Sequence, residues 1–244
     1  MKIAVVYGTA HHGITYDITR KVLEQLSQGD VKEFFLPQDF GAFCLGCGKC
    51  FQSEGDHPQQ ACPHWGALQP IVTALEESDL MILVSPVYVF HVTGQMKAFL
   101  DHFGCRWMVH RPDKTMFRKC ALLITAAAGA GMEYALRDFQ DNMDYWGVGT
   151  VLSYGKQVRA LYPADVSQKI QKQIEQDAVK LAKQCRRAVQ AKKTRRRVKW
   201  MFYKMRVFQK LGINPVDQQY WHRQGWIGKA RPWKLSQDKK GIKF

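Results

Sequence analysis

The segment FCLGCGKCF, Phe43 to Phe51, sets Cys44, Cys47 and Cys50 three residues apart, and Cys62-Pro63 follows twelve positions later. Thiolates at this spacing, with a distant Cys-Pro, echo the ferredoxin pattern that holds a 4Fe–4S cluster. Zinc is the second chemistry, with His57 or His64 as fourth ligand, although the usual paired spacing is absent. The third is a turn built by Gly46 and Gly48 whose thiols are free or redox-active. Eleven residues separate Cys50 from Cys62, and this gap favours free thiols over a cluster, and a cluster over zinc.

A second chemical stretch is GTAHHGITYDITRKV, which passes from an apolar run into a helical pattern through Gly8, Thr9, His11, Gly13 and Thr15. Small residues, hydroxyls and free N–H groups at a helix start suit a phosphate, and they suit an ordinary helix cap equally well. Neither G-x-G-x-x-G in this loop nor G-x-x-x-x-G-K-[ST] anywhere is present, which argues against a Rossmann dinucleotide site and a P-loop.

The elements that must position these residues read as alternating strands and helices. KIAVVYG, VKEFFL, DLMILVSP, KCALLITAA and GVGTVLSYG form five strands, the first, third and fourth continuously apolar, as in strands buried on both faces. Between and after them ITYDITRKVLEQLSQ, WGALQPIVTALEES, VTGQMKAFLDHFGCRW, MEYALRDFQDNMDYW and DVSQKIQKQIEQDAVKLAKQCRRAVQ carry apolar residues three or four apart. This alternation predicts a parallel sheet covered by helices, with ligands at the carboxyl ends of the strands where the order reverses. Cys105, Cys120 and Cys185 fall on apolar faces and read as core.

The third-strand loop, SPVYVFHVTGQMKAFLDHF, narrows the reading. Pro86-Val87-Tyr88 followed by Gly94-Gln95-Met96-Lys97-Ala98-Phe99-Leu100-Asp101 resembles the flavin-binding loop of the NADPH-dependent FMN reductase and flavodoxin-like iron–sulfur flavoprotein family. The resemblance covers about residues 1–155 and includes the cysteine segment. It implies a flavodoxin-like three-layer α/β fold with a five-stranded parallel sheet, FMN as cofactor and NAD(P)H as co-substrate. It assigns the phosphate to Thr9, His11, Gly13, Ile14 and Thr15, and the ring to Pro86, Val87, Tyr88, Val89 and Phe90. Ala127, Ala128 and Gly129 are the small residues at the ring edge. Relatives usually place Ser and Arg where this chain has Thr9 and His11, and often Asn where it has Ile14. His91, just past the ring contacts, reads either as a proton donor to the reduced acceptor or as a loop histidine at the rim. In the iron–sulfur branch the fourth cysteine follows within a few residues, whereas Cys62 lies much further on.

At 244 residues the chain has room for one good-sized domain and an appendage. The net charge of +15 is concentrated: residues 186–244 hold 18 Lys/Arg against Asp217 and Asp238, while the first 185 residues sum to −1. The expected division is an FMN-binding domain over residues 1–192 and a basic, aromatic-rich C-terminal arm over 193–244. In the arm, Val198, Met201, Phe202, Met205 and Phe208 form a helical stripe ending near Gly212. That stripe suits docking on the core domain or on a second subunit. The helix also suits an anionic membrane surface or single-stranded nucleic acid. Seven cysteines, no signal-like leader and no long apolar span favour a cytoplasmic location. The expected activity is reduction of a quinone, flavin or other small electrophile by a homodimer. An iron–sulfur electron carrier and a tail-driven binding module are the rivals.

Overall fold

The computed structural model describes residues 1–26 and 29–234, so the last ten residues of the arm and the end of the first predicted helix lie outside the described residues. Five strands, β1 (Lys2–Tyr7), β2 (Asp30–Phe35), β3 (Leu80–Pro86), β4 (Cys120–Ala127) and β5 (Thr150–Gln157), form one parallel sheet in the order β2-β1-β3-β4-β5. This is the flavodoxin-like order expected from the sequence. The chain leaves β1 toward one edge and returns beside it as β3, so the order reverses at the carboxyl ends of β1 and β3.

Along each central strand the side chains alternate between two cores, because successive residues point to opposite faces. Ile3 and Val5 of β1 pack with Ile82 and Leu122 against α1 (Ile14–Gln25) and α6 (Gln168–Ala191). Ala4 and Val6 pack with Met81, Leu83 and Leu123 against α3 (Trp65–Glu77), α4 (Gly94–Asp101) and α5 (Met132–Trp146). Cys105, Cys120 and Cys185 are buried, as the apolar pattern predicts.

Three boundaries differ from the sequence reading. Thr93 caps α4 by accepting from the Met96 N–H at 3.2 Å, so the helix starts at Gly94 and gives way to a short turn at Gly104–Arg106. Gly147 ends α5 in the left-handed conformation, φ 82°, which delays β5 to Thr150 and lets it run on to Gln157. Past the basic helix α7 (Arg196–Leu211) comes α8 (Pro215–Arg223), an element the sequence reading left as an aromatic segment. Asn214 caps α8 and Pro215 opens it.

The arm packs on the chain's own domain. Val198, Met201 and Phe202 of α7 join Tyr220, Trp221 and Trp226 over Met108 and Phe117, with Met205 partly covered. Phe208, expected on the same stripe, is instead exposed. Asp144, buried near the end of α5, clamps the arm's start between Arg195 at 2.7 Å and Arg197 at 2.5 Å. No helix among the described residues is long and apolar enough to cross a membrane.

Candidate functional site

A cleft of about 230 Å³ opens at the carboxyl ends of the central strands. Ten of the thirteen expected cofactor residues line it: Thr9, His11, Gly13, Ile14 and Thr15 after β1, Pro86, Val87 and Tyr88 at the end of β3, and Ala127 and Ala128 at the end of β4. Val89, Phe90 and Gly129 are not among the lining residues. Val89 is 92% exposed. Val89 and Phe90 both hold positive φ, 48° and 69°, a region costly for side chains with a Cβ. The hairpin they form is closed by paired backbone bonds between Tyr88 and His91. Phe90 turns toward α5, edge-on to Tyr134.

The phosphate-type loop is shaped by its own backbone. The Thr9 hydroxyl accepts from the His11 N–H at 3.1 Å, and the His11 carbonyl accepts from the Gly13 N–H at 3.0 Å. A Cβ on Gly13 would stand 2.9 Å from the ring of His11, an exposed side chain free to swing aside, so space alone does not require glycine there. No side chain caps α1, so its first-turn N–H groups stay available to an anion. His12 points elsewhere, stacked on Tyr16 at 4.1 Å.

Residues that sequence reasoning did not single out complete the cleft. Ala126, Val158, Ala160 and Leu161 add a wall, the last three from the loop after β5. Val158 and Arg159 N–H groups donate to the carbonyls of Ala127 and Ala128, continuing the β4–β5 pairing beyond the strands. A buried polar node ties the first two loops together: Thr93 donates to the Gly8 carbonyl, and Ser85 accepts from the Thr93 N–H at 3.0 Å. A Cβ on Gly8 would stand 2.8 Å from the Thr93 hydroxyl, so this approach requires glycine. The helix-capping threonine before Gly94 was the available signal; the β5 wall had none beyond an apolar Leu161 in a loop.

His91 does not line the cleft. Its Nδ1 lies 3.0 Å from an oxygen of Asp138 on α5, the same oxygen that accepts from the Val92 N–H at 3.2 Å. Asp138 thus fixes the outer end of the ring loop, another residue the sequence reading missed.

None of the cysteines lines the cleft, and the loop that carries them meets the arm. Gly46 and Gly48 take left-handed φ values of 60° and 71°, making the turn, and Cys50 follows on the short helix α2 (Lys49–Gln52). Cys44 and Cys47 are exposed, while Cys50 and Cys62 are half-buried. A hydrogen bond with the buried Cys105 thiol, against partial burial, holds the Cys50 thiol down at about 7 and pushes that of Cys105 up. Cys62 Sγ lies 3.5 Å from His102 Nδ1, whose Nε2 lies 3.1 Å from the Ala42 carbonyl. Burial pushes the His102 imidazole down, toward the neutral form. That neutral ring donates to Ala42 and accepts the Cys62 S–H. Partial burial and the thiols of Cys50, Cys44 and Cys47 push the Cys62 thiol up.

Two of the four cysteines, Cys50 and Cys62, are therefore engaged with other side chains, Cys105 and His102. Among the described residues no group of three or more His, Cys, Asp or Glu side chains is arranged to hold a metal. In this conformation the donor set does not fit a cluster or a zinc ion.

The loop is wired to the arm instead. Arg111, fully buried, donates to the carbonyls of Cys50 and Ser53, each at 2.5 Å. Its Nε pairs with Asp217 of α8 at 3.0 Å, an ion pair too poorly aligned for a hydrogen bond. Asp217 also meets His110 Nδ1 at 2.7 Å. Further out, Arg223 and Gln224 hold Asp56.

A parallel sheet with an uncapped helix start, an apolar slot and small residues at its reversal point defines a flavodoxin-like nucleotide-type site. Comparison with known proteins sharpens this. The model of the NADPH-dependent FMN reductase family matches residues 1–158, and the chain belongs to that family. An iron–sulfur flavoprotein of Archaeoglobus fulgidus is 31% identical over 156 residues, 61% of this chain and 64% of that protein. One from Methanocaldococcus jannaschii is 26% identical over 145 residues, 58% of this chain and 70% of that protein. The chain thus spans less than two thirds of the Archaeoglobus relative. Among solved structures, an azoreductase from Bacillus anthracis superposes with a TM-score of 0.57 at 13% identity, covering 75% of this chain and 98% of that one. An FMN-dependent NADH-azoreductase from the same species, in complex with FMN, gives 0.54 at 14% identity, covering 75% of this chain and 100% of that one. These two likenesses concern the fold.

Proposed function

We propose that the protein binds FMN in the cleft after β1, β3, β4 and β5 and acts as an NAD(P)H-dependent oxidoreductase on a small electrophile such as a quinone or free flavin. The observation that carries this reading is the convergence of an open anion loop and an apolar slot on one cleft. Bound FMN supplies the chemistry, accepting hydride from a nicotinamide and passing reducing equivalents to an acceptor.

The chain's own residues bind and position. Thr9, Thr15 and the first N–H groups of α1 receive the phosphate, with the His11 ring beside them. Pro86 and Val87 give the ring an apolar wall, and Ala127 and Ala128 let the backbone come close to its polar edge. Tyr88 and Leu161, both lining the cleft and largely exposed, are apolar surface that a second planar molecule can meet. No protein nucleophile takes part. His91, turned to Asp138, serves to hold the loop.

Calorimetric titration of the purified chain with FMN, followed by NADPH and NADH oxidation with a benzoquinone acceptor, tests the reading. Saturable FMN uptake and acceptor-dependent oxidation are expected; no uptake by a folded sample overturns it. A second reading, an iron–sulfur electron carrier, is suggested by the names of the two archaeal relatives and by the run Cys44, Cys47, Cys50 with Cys62, and requires the loop to leave the conformation described above. Anaerobic purification with iron and sulfide analysis separates the two, about four irons per chain marking the carrier.

A further inference from the structure

Helix α7 uses one side to hold the arm to the domain and leaves the other side with chemistry that the cleft does not use. Val198, Met201, Phe202 and Gln209 are buried. On the opposite side, at spacings of three and four, Trp200, Tyr203, Val207 and Leu211 are exposed, Tyr203 also meeting Arg231 and Trp233, and Ile213 just past the helix end is exposed too. A helix packed on a globular domain ordinarily has one apolar stripe and a polar outer face. This one has two stripes, and the outer row is well exposed: Trp200 59%, Val207 59%, Leu211 71% and Ile213 72%.

Cations border the outer row. At 100° per residue, Lys199 and Lys210 lie along one side of it and Lys204 along the other, with Arg196 in line with the row at the helix start. Lys204 Nζ sits 3.7 Å above the Trp200 ring. From Ala178 to Val216 there are thirteen lysines and arginines and no aspartate or glutamate.

We propose that the outer face of α7 docks on an anionic lipid surface, with the helix lying in the plane of the headgroups. Aliphatic Val207, Leu211 and Ile213 suit acyl chains, Trp200 and Tyr203 suit the headgroup boundary, and the bordering lysines reach anionic headgroups. Charge decides against a second copy, since two faces this basic repel each other. The aliphatic centre of the row decides against nucleic acid, whose bases stack on aromatic rings. Because the inner stripe is already filled by the chain's own core, the face is ready without rearrangement.

Flotation of the full-length protein with vesicles tests this. Phosphatidylcholine vesicles carrying about 30% phosphatidylserine should bind it at least about tenfold better than phosphatidylcholine alone, with the gain lost at high salt. The double substitution V207E/L211E, at exposed positions, should cut vesicle binding about tenfold or more while unfolding midpoint and FMN uptake stay unchanged. Equal binding to both vesicle types, no binding at low salt, or a V207E/L211E protein that binds as well as the wild type would overturn the proposal. So would light scattering that shows the substitution splitting a lipid-free dimer. The same holds if a single-stranded oligonucleotide is bound through this face in preference to the vesicles.

Discussion

The cleft at the sheet's end and the seam between arm and cysteine loop are built on opposite principles. The cleft is made of backbone, small residues and turns, and its donors are left unanswered within the chain. At the seam the buried charges are met within the chain: Arg111 by two carbonyls and the charge of Asp217, Asp217 by Arg111 and His110, and Cys62 by His102. The contrast supports the reading that the cleft, and not the seam, takes a ligand. An open set of N–H groups costs little while water serves them and becomes valuable when an anion arrives. A buried guanidinium has no such latitude and must be paired at all times.

The largest expected effect lies in the seam. Asp217→Ala removes the buried partner of Arg111 and His110 and should destabilise the protein by about 3–5 kcal/mol, the usual cost of breaking a buried ion pair. Asp217→Asn, which keeps the shape and one acceptor, should cost less. Urea unfolding gives both numbers, and FMN affinity of the protein still folded should be little changed. A loss of FMN affinity as large as the loss of stability would mean that seam and cleft are one unit.

A smaller effect is expected at the boundary of the cleft. Gly131, at the start of α5, has φ 98°, and a Cβ there would stand 2.9 Å from both Val87 and Phe90. Gly131→Ala should therefore cost about 1–3 kcal/mol through backbone strain and collision. Since Val87 lines the cleft and forms the proposed ring wall, FMN affinity should fall beyond what the stability loss accounts for. Calorimetry beside thermal unfolding checks this, and unchanged affinity would take Val87 out of the ring wall.

The same contrast explains what the sequence revealed. The cleft was legible because its parts are local: strand, turn and helix start adjoin in Pro86-Val87-Tyr88 and in Thr9 to Thr15, and a short motif carries their geometry. The sheet was legible for a related reason, since burial on both faces leaves β1, β3 and β4 as unbroken apolar runs. The seam joins Arg111 to Asp217 across more than a hundred residues, and such a pairing has no local signature. The loop after β5 adds Val158, Ala160 and Leu161 to the cleft through the register of β4 with β5, which no motif encodes. In the arm, helical periodicity located α7 and its inner stripe. It misplaced Phe208, because the helix turns that position away from the domain.

The smallest effect is expected at His91, and here the comparison is sharpest, because sequence position and structure point to different roles. Position alone, three residues past Tyr88, made His91 a candidate proton donor. The structure pairs it with Asp138 at an exposed rim, where such pairs contribute about 0.2–1 kcal/mol. Asp138 has a second task, receiving the Val92 N–H, so it keeps the loop anchored when the histidine is gone. His91→Ala should thus lower stability by less than about 1 kcal/mol and leave FMN affinity nearly unchanged. Asp138→Ala should cost more, because it releases both the imidazole and the Val92 N–H and frees a hairpin already held at positive φ. Steady-state rates across pH decide between the roles. A turnover that follows wild type across the range for His91→Ala leaves the histidine a tether. A loss of about 100-fold in kcat, with one limb of the pH profile removed, would restore it as the proton donor.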